Sequence, residues 1–65
     1  MDTKQLKKEL IDANISVNDF CKKVGISYSL YNRVMNGKSL FDVAQASKIK
    51  KVLNLSNEKT IQIFL

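Results

Sequence analysis

The feature that most constrains this chain is Gly25, because it interrupts a patterned segment whose two sides each begin with the signals of a helix start. Upstream, Ser16 stands at an N-cap position with Asp19 three residues on, and Ile15 and Phe20 are spaced for a hydrophobic staple across that cap. Downstream, Ser27 repeats the cap, with Ile26 and Tyr31 as its staple. The pattern predicts a helix over 17–24, a three-residue turn and a second helix over 28–35. Glycine at the joint supplies the left-handed backbone that closes the first of them. With no proline and only two glycines in 65 residues, little material is left for the tight turns of a β architecture, and the expected class is all-α.

The flanking segments carry the same signals. Over 4–14, Leu6, Leu10, Ala13 and the neighbouring Ile11 show the three-and-four spacing of an amphipathic helix, opened by Asp2 with Gln5 at capping-box distance and closed by Asn14. Asn36 and Gly37 end the third helix. Phe41 and Asp42 open a fourth, where Asp42 and Gln45 repeat the box spacing and Ala46, Ile49, Val52 and Leu53 form the stripe expected to be buried. Leu55 with Ser56 or Asn57 leads into a fifth, ending at Leu65, with Ile61, Phe64 and Leu65 along one side. The expectation is one compact five-helix domain over 1–65.

Composition removes several function classes. Hydrophobic residues make up 45% and charged residues 26%, the mixture of a chain that folds. A single cysteine forms no internal disulfide, and without histidine a zinc site is not expected; Cys21 reads as a small apolar filler. There is no histidine base and no glycine-rich phosphate loop, and the carboxylates fall at caps, so neither an enzyme, a cofactor nor a small-molecule ligand is expected. No apolar run exceeds three residues, which excludes a membrane span and a signal-peptide core, and the lone thiol suits a reducing cytosol. A cytoplasmic location is expected.

Charge points to a polyanion. Eleven Lys and Arg against six Asp and Glu give a net charge of +5, and the pI near 9.6 is in the range of nucleic-acid-binding domains. Placing residues 28–35 at steps of about 100° sets Leu30, Tyr31 and Val34 on one side and Tyr28, Ser29, Asn32 and Arg33 on the other. One face is core; the other is free to read a ligand.

From Ile15 to Lys38 the sequence ISVNDFCKKVGISYSLYNRVMNGK resembles the helix-turn-helix of the phage repressor and Cro family, also called the XRE family. Counting from Val17, the apolar fourth position is Phe20, the small fifth Cys21, the ninth Gly25, the apolar fifteenth Tyr31 and the branched eighteenth Val34, followed by the Asn36-Gly37-Lys38 close. A small residue is needed at the fifth position because the two helices cross there, and glycine at the ninth because the turn needs positive φ. The last two helices, with Phe41, Ile49, Leu53 and the terminal Ile-Phe-Leu, look like those of small phage-encoded members. The chain departs from the family in having Val17 where members often place a phosphate-touching Gln, and in lacking the Gln pair of some recognition helices.

The resemblance implies a lambda-repressor-like domain that binds a double-stranded DNA operator as a homodimer, in the manner of a Cro-like repressor. Base reading would fall to Tyr28, Ser29, Asn32 and Arg33, with Arg33 matching guanine O6 and N7 or else gripping a phosphate. Phosphate contacts would come from Val17 and Asn18 at the start of the second helix and from Asn36, Lys38 and Ser39 after the third. Asn36 and Gly37 read equally as a helix C-cap. Ile61, Ile63, Phe64 and Leu65 are the expected dimer interface, because Ile61 and Ile63 lie about 200° apart and offer the last helix two apolar faces. A second reading stays open at this point: a helix-turn-helix-shaped antirepressor that binds another repressor rather than DNA.

Overall fold

The computed structural model describes residues 1–65 and contains five helices: α1 (Thr3–Asp12), α2 (Val17–Val24), α3 (Tyr28–Met35), α4 (Val43–Val52) and α5 (Asn57–Phe64). The fold is all-α, as expected, and no helix is long and apolar enough to cross a membrane. Every helix begins on a side-chain acceptor. Asp2 takes the Gln5 N–H at 3.0 Å, Ser16 that of Asp19 at 3.1 Å, Ser27 that of Leu30 at 3.0 Å, Asp42 that of Gln45 at 2.7 Å and Ser56 that of Lys59 at 3.1 Å. Each such cap is worth about 1 kcal/mol, a sizeable share of what a domain this small can accumulate. The reciprocal half of the capping box forms only at α4, where the Asp42 N–H donates to Gln45 Oε1 at 3.0 Å.

The first four helices close on a left-handed residue: Asn14, Gly25, Gly37 and Asn54, with φ of 54°, 81°, 75° and 53°. Beyond α1, α3 and α4 the chain folds back in the same way, the N–H groups of Ile15, Lys38 and Leu55 donating to the carbonyls of Leu10, Arg33 and Lys50 at 3.2, 2.8 and 2.9 Å. This Schellman closure satisfies carbonyls that a helix end leaves unpaired. It also moves the end of α1 from the expected Asn14 to Asp12, since Asn14 lies outside the helix in the left-handed position.

Phe20 is fully enclosed, and α2 packs on both α3 and α4 while α1 packs on α5. Leu6, Leu10, Cys21, Val24, Tyr31, Ile49, Leu55 and Ile63 complete one buried cluster around Phe20. Removing a side chain the size of Phe20 from water contributes about 1.5–3 kcal/mol. Cys21 is the small buried residue that was expected at the helix crossing, and burial pushes its thiol pKa up, away from the reactive thiolate.

Several features differ from the sequence reading. Ile11 is 76% exposed and Ala13 is exposed, so the buried stripe of α1 is narrower than expected. Its inward position is taken by Glu9, only 6% exposed. Lys59 of α5 answers that carboxylate, approaching Oε1 at 2.6 Å as an ion contact and donating a hydrogen bond to Oε2 at 3.4 Å. The hydrogen bond and then the charge of Glu9 raise the Lys59 pKa. On the same seam the Asp2 N–H donates to the Ile63 carbonyl at 2.7 Å, binding the start of the chain to α5. Lastly, Ile63 has no exposed surface. It belongs to the monomer core and cannot serve in the dimer interface expected of it, because the inner of the two apolar faces of α5 is the one on which α1 packs. In α4, Ile49 alone is fully buried; Ala46, Val52 and Leu53 are half-buried.

Candidate nucleic-acid interface

The geometry of α3 follows from where its apolar residues must go. Tyr31 and Val34 are buried and Leu30 is half-buried, which turns Tyr28, Ser29, Asn32 and Arg33 outward, all four exposed. The turn Gly25-Ile26-Ser27 sets the angle at which α3 leaves α2, with Ile26 packed against the core as the staple requires. The outer face is also held in place. The Tyr31 ring meets Phe20 edge to face, centroids 6.0 Å apart at 71°, and Tyr28 stacks on Tyr31 at 6.3 Å and 23°. An exposed ring at the N-terminus of α3 is thereby linked through one intermediate to the centre of the core. Burial, with smaller contributions from Cys21 and Tyr28, raises the Tyr31 pKa, so its hydroxyl stays protonated well into the alkaline range.

Arg33 is lightly committed. Its Nη1 donates to Ser29 Oγ, one turn back, at 3.4 Å, and it has no carboxylate partner. A guanidinium in that state can turn its fork to a base edge or a phosphate with little lost. Asn32 has a free side-chain amide, while its carbonyl accepts from Asn36 Nδ2 at 2.9 Å. Asn36 is therefore the C-cap that the sequence allowed, with one amide hydrogen in use and the other available. The Lys38 N–H is likewise occupied, by the Arg33 carbonyl, which leaves its exposed ammonium as the group that could meet a phosphate. Ser39 is half-buried.

At the start of α2 the Val17 and Asn18 N–H groups precede the first helical bond, from Phe20 to the Ser16 carbonyl, and point out of the helix end unpaired. The Asp19 carboxylate lies in that same first turn and opposes an anion there. The two halves of the anchor therefore differ: donors with an acid beside them before α2, a lysine after α3.

A family model described as helix-turn-helix matches residues 6–56, from the first buried leucine of α1 to the cap of α5. The chain belongs to the XRE-type helix-turn-helix family. Neither the curated proteins nor the solved structures yield a match. Family membership makes this a DNA-binding, transcription-regulator-like helix-turn-helix protein, with α2 and α3 as the motif's two helices. Sequence reasoning missed two features of this helix-turn-helix domain. The Glu9–Lys59 pair joins residues too far apart in the chain for local spacing to relate. The other is a cluster of apolar residues around the α3–α4 connection, whose only local signal was Leu40 and Val43 flanking the cap at Phe41 and Asp42.

Proposed function

We propose that this chain is a Cro-like transcriptional repressor of phage or prophage type, acting in the cytoplasm of a bacterial cell. It binds a near-palindromic operator in double-stranded DNA as a homodimer with α3 of each copy in a major groove. The observation that carries this reading is the outer face of α3: four neighbouring exposed side chains suited to base edges, of which only the Tyr28 ring also packs on the fold, on a chain of net charge +5. Arg33 reads guanine, Asn32 is placed for adenine, Ser29 adds a less selective bond, and Tyr28 lays its ring against a thymine methyl or its hydroxyl on a phosphate. The Val17 and Asn18 N–H groups, Asn36, Lys38 and Ser39 grip the backbone on either side. With recognition helices about 34 Å apart, two copies would span successive major grooves and block polymerase at a promoter.

The deciding experiment is selection of bound duplexes from a random pool at about 100 mM salt, followed by a salt titration of the winner. A two-fold symmetric motif with half-sites about one helical turn apart is expected. No enriched motif, with binding that disappears as salt rises, would sink the operator reading. One observation favours the antirepressor alternative. Val17 and the exposed Ile11 help line a largely apolar recess of about 350 Å³ with Leu10, Ile15 and Tyr31, beside the start of α2. Under that alternative Arg33→Ala leaves function intact in a reporter assay.

A further inference from the structure

We infer that the corner between α1 and α2 is the docking site of a partner protein, and that the segment it takes is an acidic helix with an apolar stripe. Lys4, Lys7, Lys8 and Ile11 follow one another at i, i+3, i+4 and i+7, so they share one outer face of α1. All four are exposed, Ile11 by 76%. None of the three lysines has a carboxylate partner, since the inward Glu9 is held by Lys59. Lys7 and Ile11 stand at the rim of the recess of about 350 Å³ whose walls are Leu10, Ile15, Val17 and Tyr31. A second hollow of about 490 Å³ runs on from it past Leu10, Ile11 and Ile15 to Asp19. Together they form one trough with apolar walls, a cationic approach along α1 and an acid at the far end.

Charge selects the occupant. Apolar walls alone fit any apolar surface, but three unpaired lysines on the stripe that leads into the trough favour carboxylates beside the apolar anchor. A helix with apolar side chains one turn apart and acids flanking them meets both demands, laid into the trough along its apolar face. A second copy fits worse. A two-fold contact presents the patch to itself, and a patch with Lys4, Lys7 and Lys8 against only Asp12 and Asp19 is repelled by its own copy. DNA fits worse as well, because phosphate gains nothing from Leu10, Ile15 and Tyr31. The groove beside the α3–α4 connection lacks this selectivity: Leu40, Val43, Phe64 and Leu65 give it apolar surface, and no Lys or Arg lines it. Position adds a consequence. Val17 lines the trough, and the unpaired Val17 and Asn18 N–H groups open from the same turn. A partner's carboxylates at Lys7 lie across one recess from the donors assigned above to DNA phosphate, so docking and operator binding compete. The docking rests on the trough alone; the competition rests on the DNA-reading function proposed above.

The test selects phage-displayed peptides of about 15 random residues, long enough to form a helix, against the immobilised full chain at about 100 mM salt. The expected winners carry apolar residues one turn apart and net negative charge. Added to the isotopically labelled chain, a synthetic winner should shift the amide resonances of Leu10, Ile11, Ile15 and Val17 more than those around Leu40 and Val43. Ile11→Ser and Lys7→Glu, both at exposed positions, should each weaken its binding by about tenfold or more with helicity and thermal midpoint unchanged. The shift map does not depend on either variant folding. No enriched peptide, winners without acids, or shifts confined to the groove at Leu40 or to α3 overturn the inference, as does binding untouched by both substitutions. The competition fails separately. A winner that docks in the trough and leaves the selected duplex bound removes the competition, whereas docking with no duplex selected at all removes the DNA reading and leaves the partner site standing.

Discussion

The outer face of α3 and the groove that opens just after it are both left unused by the monomer, but they are built by opposite means. On α3 the exposed residues are polar, carry positive charge and stand on a helix whose inner face is anchored by Tyr31 and Val34. In the groove the exposed side chains are mostly apolar, include no Lys or Arg, and lie on the α3–α4 connection and at the two ends of the chain. Exposing polar groups costs little because water satisfies them; exposing Leu40, Val43 and Leu65 forgoes burial worth about 25 cal/mol per Å². The comparison teaches that availability has two signatures here: a rigid polar face offers hydrogen-bonding groups to a ligand, and an apolar hollow offers area that water does not favour.

The harshest way to break the comparison is Phe20→Ala. It removes the ring beneath Tyr31 and should destabilise the domain by about 3–5 kcal/mol, which in a fold this small leaves much of the population unfolded at 25 °C in a urea titration. A variant as stable as the wild type would show that the outer face of α3 does not depend on the core. Arg33→Ala comes next. It should weaken binding to the selected duplex by about 1–3 kcal/mol and relax preference at one base position, with an unchanged thermal midpoint, because the side chain holds only one long bond to Ser29. Equal weakening on every duplex would instead make Arg33 a phosphate contact.

Smaller effects sharpen the picture. Ser27→Ala removes the acceptor for the Leu30 N–H and should cost about 0.5–2 kcal/mol by chemical denaturation, with DNA affinity lowered only as far as α3 frays. Alkaline pH should act on the core and on the Glu9–Lys59 pair. Cys21, Tyr31 and Lys59 all have raised pKa values in the fold, from ordinary values of 9.0, 10.0 and 10.5. The folded state therefore retains protons that the unfolded chain releases. Their contribution to stability is complete below about pH 9 and declines as pH rises through the folded values. Denaturation midpoints measured from pH 8 to 11 should fall, and Tyr31→Phe should flatten part of that slope.

Much of this molecule was legible from local signals. The helix-turn-helix appears at the boundaries that Ser16, Gly25 and Ser27 imply, because a cap and a left-handed residue act through bonds a few residues apart and need no tertiary partner. The division of α3 into inner and outer faces was readable for a similar reason, its period being that of the helix itself. Ile11 was misplaced because periodicity assigns a face and not a neighbour: the inward side of α1 meets α5, whose Lys59 makes the inward carboxylate of Glu9 tolerable and leaves the isoleucine outside. Ile63 was misread as a partner-facing residue by the same route, since two apolar faces on α5 do not say which one α1 will cover.

What the sequence by itself determined is where each helix starts and stops and which side chains α3 turns away from the core, since caps, glycine and helical period are short-range causes. What only the tertiary structure decided is which apolar residues remain outside once packing is complete. That depends on contacts between segments distant in the chain, and it brings Met1, Leu40, Val43 and Leu65 to one groove although they begin, bridge and end the sequence.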